Sequence, residues 1–485
     1  MKEYAAKQPS PWVSVLPLAV LTLLLYVVIR CFGGDAINGG SQIALLSATS
    51  VCVMLAIGIY RCKWAVLEEA IIDNIRASAS AIIILLLIGA IAGSWMVSGV
   101  VPTMIYYGLK ILHPSFFLVA SCVICAGVSL TGSSWTPIAT IGVALMGTGQ
   151  AMGFPEGWIA GAIISGAYFG DKLSLLSDTT VLASSTVGVP IFTHIRYMLY
   201  TTVPSFVIAL AVFVIAGLTL DHTGGTHAGM YAESLRGTFR ITPWLLAVPV
   251  ATGVLIVRKL PAIVTLFCAA VFACVAMLLA QPELVAKVAG VGGLDFMSGF
   301  KGVLMSCFGP TAIPTGSPQL DELVATRGMA GMLNTVWLII CAMCFGGVMT
   351  GSGMLGALTA VFLKFVRRTF SAVASTVGAG IFFNLCTADQ YISIILSGRL
   401  FRELYAERGL ESRLLSRSVE DSATVCSVLV PWNSCGMTQA TVLGVSTFVY
   451  MPYCIFNIVS PLMSLCVAAL GWKIKKAASS AGRRQ

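Results

Sequence analysis

The sequence predicts an all-α polytopic membrane protein, roughly 11 to 13 transmembrane segments in two related halves, with interrupted helices inside each half. Three observations carry this. Hydrophobic residues make up 57% of the 485 and charged residues 10%, against about 25% charged in a soluble domain. Apolar runs long enough to cross a bilayer recur along the chain. The two halves also echo each other in order.

Spanning helices need about 20 mainly apolar residues. Candidates fall at Leu16–Ile29, Ile43–Ile59, Ala79–Val97, Phe116–Leu130, Tyr197–Leu218, Trp244–Val257 and Pro261–Ala280, then at Gly331–Met349, Ser371–Leu385 and Val442–Gly471. Leu16–Ile29 runs into Arg30 without a small-residue cleavage pattern, so it reads as a first span and not as a cleaved signal. The net charge of +9 is concentrated at Lys2 and Lys7, at Arg61, Lys63 and Arg76, and at Lys473, Lys475, Lys476, Arg483 and Arg484. Positive-inside logic then puts both termini in the cytoplasm, and no nucleic-acid partner is needed to explain the charge.

The 15 cysteines are scattered through apolar runs, which fits reduced thiols used for packing. Cys122/Cys125 and Cys341/Cys344 have C-x-x-C spacing but no further ligands nearby in sequence, so packing is preferred to a metal or redox site. His222 and His227 lie in the Gly-rich "DHTGGTH", read as solvated loop in preference to a metal site.

The central region Thr219–Thr242 separates the halves. "SGVVPTMIYYGLK" from Ser98 resembles "SGMLGALTAVFLK" from Ser352, and "VGVPIFTHIRY" from Val187 resembles "LGVSTFVYMPY" from Leu443. Asp171 and Asp421 are taken as a third matched pair. The expected organisation is N-terminal spans 1–60, a first repeat 61–218, a central loop with connecting spans 219–320, a second repeat 321–472 and a basic tail 473–485. Whether the halves are inverted depends on the number of crossings per half, which the sequence leaves open.

Interruptions occur in corresponding places, at "SLTGSSWTP" from Ser129 and "NLCTADQY" from Asn384. Polar backbone at membrane depth is tolerated only where protein buries it or a wet cavity receives it. Glycine pairs four apart, Gly89/Gly93, Gly166/Gly170 and Gly347/Gly351, allow helices to approach closely.

Charge concentrates in "GAYFGDKLSLLSDTTVL" from Gly166. A carboxylate at the bilayer centre costs about 2.5 to 3.5 kcal/mol, so an intramembrane acid is a functional candidate by default. Asp171 and Lys172 could instead cap a helix end, with the lysine snorkelling to the surface. Asp178 stands among Ser174, Ser177, Thr179 and Thr180, an oxygen-rich set suited to a hard cation such as sodium. His194 reads as an interfacial anchor beside Arg196, with pH sensing as the other reading. The charged run Arg399–Asp421 reads as a solvated cytoplasmic helix with internal ion pairs, or as a regulatory segment.

The block "GAYFGDKLSLLSDTTVLASSTVGVPIFTHIRYMLYTTVP" from Gly166, together with "SWTPIATIGVALMGTGQAMG", "TADQYISIILSGRLF" and "SVEDSATVCSVLVPWNSCG", resembles the signature of the NhaC-type sodium/proton antiporters. The resemblance implies a secondary transporter of the cell membrane, with interrupted helices at its transport site and no cofactor beyond the transported Na+ and H+. It points to Asp178, Thr179, Thr180, Asp389, Gln390, Asp421 and Asn433 as ion-binding or proton-carrying residues, with Na+ at Asp178 and Asp389. The family also covers exchangers of malate and lactate, for which Lys172, Arg196 or Arg399 would meet a substrate carboxylate. Val181 and Leu175 stand where the family has Asn and Pro, which leaves the exchanged ion or solute open. A homodimer is compatible with the family.

Burial disfavours the charged form of a carboxylate, so a partly dehydrated aspartate holds either a proton or sodium. Rocking that is easy only when this charge is neutralised makes exchange obligatory. Asp171 and Asp421 are weighed as structural anchors or as part of the site. No Walker A sequence is present, which argues against a primary pump. An intramembrane aspartyl protease is the remote alternative, disfavoured because "YFGD" lacks the second glycine of G-x-G-D and no enzymatic activity is expected.

Overall fold

The computed structural model describes residues 9–32, 38–130, 132–220, 224–258, 260–293, 295–316, 320–321, 324–364 and 366–474, with only the backbone given for 224–228. Lys2, Lys7, His222, Lys475, Lys476, Arg483 and Arg484 lie outside these residues, as does the side chain of His227.

The described chain is helical throughout apart from turns and one isolated bridge, Thr311 to Thr326. The first half comprises α1 (Leu16–Phe32), α2 (Gly40–Gly58), α3 (Trp64–Val97), α4 (Val100–Ile111), α5 (Pro114–Ser129), α6 (Val143–Ala151), α7 (Glu156–Leu173), α8 (Asp178–Val187) and α9 (Ile191–Thr219). A connecting region follows with α10 (Gly224–Thr238), α11 (Ala247–Val257), α12 (Ala262–Ala280), α13 (Pro282–Ala289) and α14 (Phe296–Phe308). The second half holds α15 (Gly328–Gly351), α16 (Met354–Lys364), α17 (Thr369–Thr387), α18 (Gln390–Glu407), α19 (Ser412–Val419), α20 (Ser434–Leu443) and α21 (Ile455–Ala469).

Seven helices among the described residues are long and apolar enough to cross a membrane, or ten if each of three bent pairs is one span. Three shorter apolar helices accompany them. The expected 11 to 13 had counted interrupted pieces as crossings. Outer faces are bare and apolar, as at Leu23, Val257, Phe267 and Leu279. In water such surface would be unfavourable; against lipid tails it is not.

The sequence echoes fold alike. Gly99 and Gly353 take left-handed backbone before α4 and α16, and the hydroxyls of Ser98 and Ser352 accept from the amides of Val100 and Met354, both at 3.4 Å. Gly188 and Gly444 close α8 and α20 in the same left-handed conformation, with Val189 N donating to Ser184 O and Val445 N to Ala440 O. Each of these turns needs positive φ, which glycine adopts without the Cβ penalty.

The halves are inverted, because equivalent helices pack antiparallel. Gly89 of α3 abuts Met329 of α15, while Gly347 of α15 abuts Ile71 of α3. In α9 and its counterpart, Tyr197 Oη donates to Lys473 O and Tyr200 packs edge-on to Trp472, while Phe206 meets Phe456. Sequence number rises along one helix as it falls along the other in both pairs.

The spaced glycines lie where helices touch backbone to backbone. A Cβ on Gly166 would fall on the Cys122 carbonyl and one on Gly170 on the Ala126 carbonyl, so α5 and α7 pack as closely as peptide groups allow. Cys122 and Cys125 are buried in the same α5 interface.

Two regional expectations are corrected. Within Thr219–Thr242 the chain forms α10 and not an open loop, since Leu235 and Phe239 bury an apolar edge. Of the charged run Arg399–Asp421, only the first part is surface; Leu414 to Asp421 is fully buried, because Lys172 and Arg417 compensate the acidic charge from within.

Replacing Gly166 with Val is expected to lower the stability of the detergent-purified protein by about 1–3 kcal/mol. The same change at Gly127, whose Cβ would meet nothing within 4 Å, should be near neutral. Thermal unfolding of the two variants checks this.

Candidate functional site

Both halves break a helix in the same way. In the first, α5 ends at Ser129, and Ser133 Oγ accepts from the amides of Trp135 and Thr136 to start the next helical stretch. In the second, α17 ends at Thr387, followed by Ala388, a buried alanine held at φ 56°, and Asp389 Oδ1 accepts from Ile392 N at 3.0 Å to cap α18. Left-handed backbone is uncommon for alanine, so surrounding contacts must hold it. They include Ser434 N donating to Ala388 O at 2.8 Å. A serine and an aspartate thus do the same capping work, and only the second half places a carboxylate there.

Each half holds a second break. Between α7 and α8 the chain bends by 47°, with Ser177 as the cap of α8. Its counterpart follows α19, where a π-helical turn (Glu420–Thr424) leads to a break that Asn433 ends by capping α20. Asn433 Nδ2 reaches Asn384 Oδ1 at 3.1 Å, and Asn384 Nδ2 donates to Ala423 O at 2.7 Å. The two breaks of the second half are therefore tied together by amide side chains.

Asp389 is buried at 1% exposure, with Ser434 Oγ donating to Oδ2 at 3.3 Å. Ser78 of α3 is a further hydroxyl neighbour. Gln390 is buried and accepts from Ser427 Oγ at 3.3 Å. Asp178 is exposed at the start of α8, with Thr179 and Thr180 buried behind it. Thr180 Oγ1 turns back to the carbonyl of Lys172 at 3.4 Å. Asp171 is buried near Ser134, Ser177 and Asp178, and its Oδ1 has no hydrogen bond among the described residues. Asp178, Asp389 and Asp171 all lie within electrostatic reach of the Tyr391 hydroxyl. Among the described residues, no three His, Cys, Asp or Glu side chains converge as metal ligands. Leu175 and Val181 are exposed, as is Asp178, whereas Asp389 is buried.

Asp421 does a different job. Lys172 Nζ donates to its Oδ1 and also to Ser460 Oγ at 3.0 Å, while Thr201 Oγ1 donates to the same carboxylate at 3.2 Å. Arg417 Nε lies 3.9 Å from Oδ2, its guanidinium 4.7 Å from the Tyr197 ring centre. Lys172 is 1% exposed, so the snorkelling expectation is corrected: its charge is neutralised inside the protein. His194 is likewise fully buried, 2.9 Å from Ser416 Oγ, and is not an interfacial anchor. Arg196 and Arg399 are exposed.

The pairing of Asp171 with Asp421 across the halves also fails. The starts of α7 and α19 at Glu156 and Ser412, and of α8 and α20 at Asp178 and Ser434, set a common register. In that register Asp171 matches Ser427 and Asp421 matches Ser165. Sequence reasoning missed Tyr391, Ser78, Arg417 and Glu420. Arg417, Glu420 and Asp421 were legible as charges three and four apart in "SRSVED"; nothing local marks Ser78.

A family model described as the Na+/H+ antiporter family matches residues 166–472. The chain is 34% identical over 438 residues to the Na(+)/H(+) antiporter NhaC of Alkalihalophilus pseudofirmus, covering 90% of this chain and 92% of that protein. It is 35% identical over 419 residues to the malate-2H(+)/Na(+)-lactate antiporter of Bacillus subtilis, covering 85% of each. Identity to the arginine/ornithine antiporter ArcD of Halobacterium salinarum is 33% over 474 residues, covering 96% of this chain and 93% of that one.

Asp421→Asn leaves Lys172 buried without its counter-charge and is expected to destabilise the protein by about 3–5 kcal/mol. Combining Asp421→Leu with Lys172→Met removes both charges of the pair and should recover part of that loss, Arg417 still losing the carboxylate 3.9 Å from its Nε. Unfolding temperatures of the purified variants decide it.

Proposed function

This chain belongs to the Na+/H+ antiporter family, and on that premise we propose that it exchanges cytoplasmic Na+ for external H+ across the cell membrane by alternating access, with Asp389 as the central ion- and proton-carrying group. The observation that carries this reading is a buried carboxylate at a helix break that accepts from the Ser434 hydroxyl and has Ser78 of the inverted half as a neighbour. Inverted halves with discontinuous helices suit rocking about a fixed midplane site.

Asp178, exposed at the mouth, receives the incoming cation; Thr179 and Thr180 supply oxygens behind it. Tyr391 bridges the space between the outer and inner carboxylates. A proton and a sodium ion compete for Asp389, because an enclosed carboxylate cannot stay charged without one of them. The halves rock only when that charge is neutralised, so every movement carries one cargo. Both termini face the cytoplasm, and no catalytic step is assigned to any residue.

A second reading, exchange of small organic solutes coupled to Na+ and H+, draws support from the malate/lactate and arginine/ornithine relatives. Lys172 is already engaged by Asp421, but Arg417 is fully buried and its three guanidinium nitrogens make no hydrogen bond among the described residues. A substrate carboxylate would suit it.

In proteoliposomes with a trapped pH dye and an acid interior, external Na+ should evoke proton efflux. Asp389→Asn should reduce it at least tenfold while the protein elutes normally on size exclusion, and Asp178→Asn should raise the Na+ concentration needed. Efflux unchanged by Asp389→Asn removes that residue from the site. Efflux that requires malate, lactate or an amino acid on the opposite side gives the second reading.

A further inference from the structure

The connecting region between the halves builds a polar cavity of about 640 Å³, apart from the carboxylate site. Arg236, Arg240, Lys287 and Glu283 line it, together with Thr242 and Gln281. Its wall is a fixed construction. The buried Gln281 side chain grips the Arg240 backbone twice, accepting from its amide and donating to its carbonyl, both at 3.1 Å. This pins the 239–242 segment to α13.

Charge in the cavity is unbalanced. Arg240 pairs with Glu283 at 2.7 Å, while Arg236 and Lys287 add two further positive charges to the lining. Thr242 Oγ1 is enclosed without a hydrogen-bond partner among the described residues.

The cavity lies at the C-terminal end of α12, a helix long and apolar enough to cross a membrane, where Gln281 follows Ala280. The chain bends by 95° between the end of α10 and the Pro243–Val257 segment that contains α11. Val250, Val254 and Val257 are bare on α11, and Trp244, half exposed, stands where that segment begins. With α12 crossing the bilayer, this end of it reaches the head-group region, and Trp244 at the start of the neighbouring segment sits in the interfacial belt.

We propose that this cavity binds a phosphate-bearing anion, supplied by the head group of an anionic phospholipid. Arg236 and Lys287 attract the phosphate, Thr242 donates its hydroxyl, and the Arg240–Glu283 pair sets the rim. Basic pockets between membrane helices recognise such head groups by this combination of charge and hydrogen bonding.

The test titrates the detergent-purified full chain with phosphatidylglycerol, phosphatidylcholine or inorganic phosphate and follows binding by thermal shift. Phosphatidylglycerol should bind and phosphatidylcholine should not. Arg236→Gln and Lys287→Gln should each weaken binding about fivefold, and both residues are exposed, so folding is not at stake. Glu283→Gln should tighten binding by freeing Arg240. Equal response to both lipids, or no dependence on these three substitutions, overturns the site. A charge-dependent response to inorganic phosphate alone overturns the lipid source.

Discussion

Every helix break inside an apolar protein exposes amides and carbonyls that water cannot reach, and each must find a partner within the chain. This requirement shapes the transport core. Ser133, Ser177, Asp389 and Asn433 each satisfy a helix start with their own side chain. The cap is hydroxyl in the first half and carboxylate or amide in the second.

Charge inside the core follows from the same economy. Lys172 comes from the first half and Asp421 from the second, so their pairing joins the inverted repeats at a buried point. Aromatic rings lie beside it: Phe169 and Phe206 stack with centres 3.6 Å apart, and the Phe456 ring centre lies 5.7 Å from Lys172 Nζ. A buried pair of this kind contributes little net stability, but removing one partner is costly. It therefore fixes how the halves meet more than how tightly they hold. Asp389, by contrast, has hydroxyl and amide donors but no ion-pair partner among the described residues.

The glycine contacts set the distances at which these groups meet. With Gly166 and Gly170 against the α5 carbonyls, α7 carries Asp171 and Lys172 to the centre of the protein. Larger residues there would move both side chains away from their partners. Helix spacing, carboxylate burial and the register of the second-half break are thus one packing problem.

Much of this was legible from residue order. Apolar content determined a polytopic helical protein; Ser-Gly and Gly-Val turns at matched offsets pointed to two related halves; and the polar clusters after Ser129 and Asn384 located one break in each half. The family signature pointed to Asp389 and Asn433 because short motifs keep their local capping chemistry wherever they fold. Direction, depth and partnership were decided only in three dimensions. Nothing in the local pattern makes α3 run antiparallel to α15, leaves Asp178 at the surface, or sends Lys172 to Asp421, 249 residues away. A carboxylate in an apolar chain is costly wherever it lies, so the sequence could mark it as important. Whether that cost is met by a lysine, a ring of hydroxyls or open solvent depends on which distant helix packs against it.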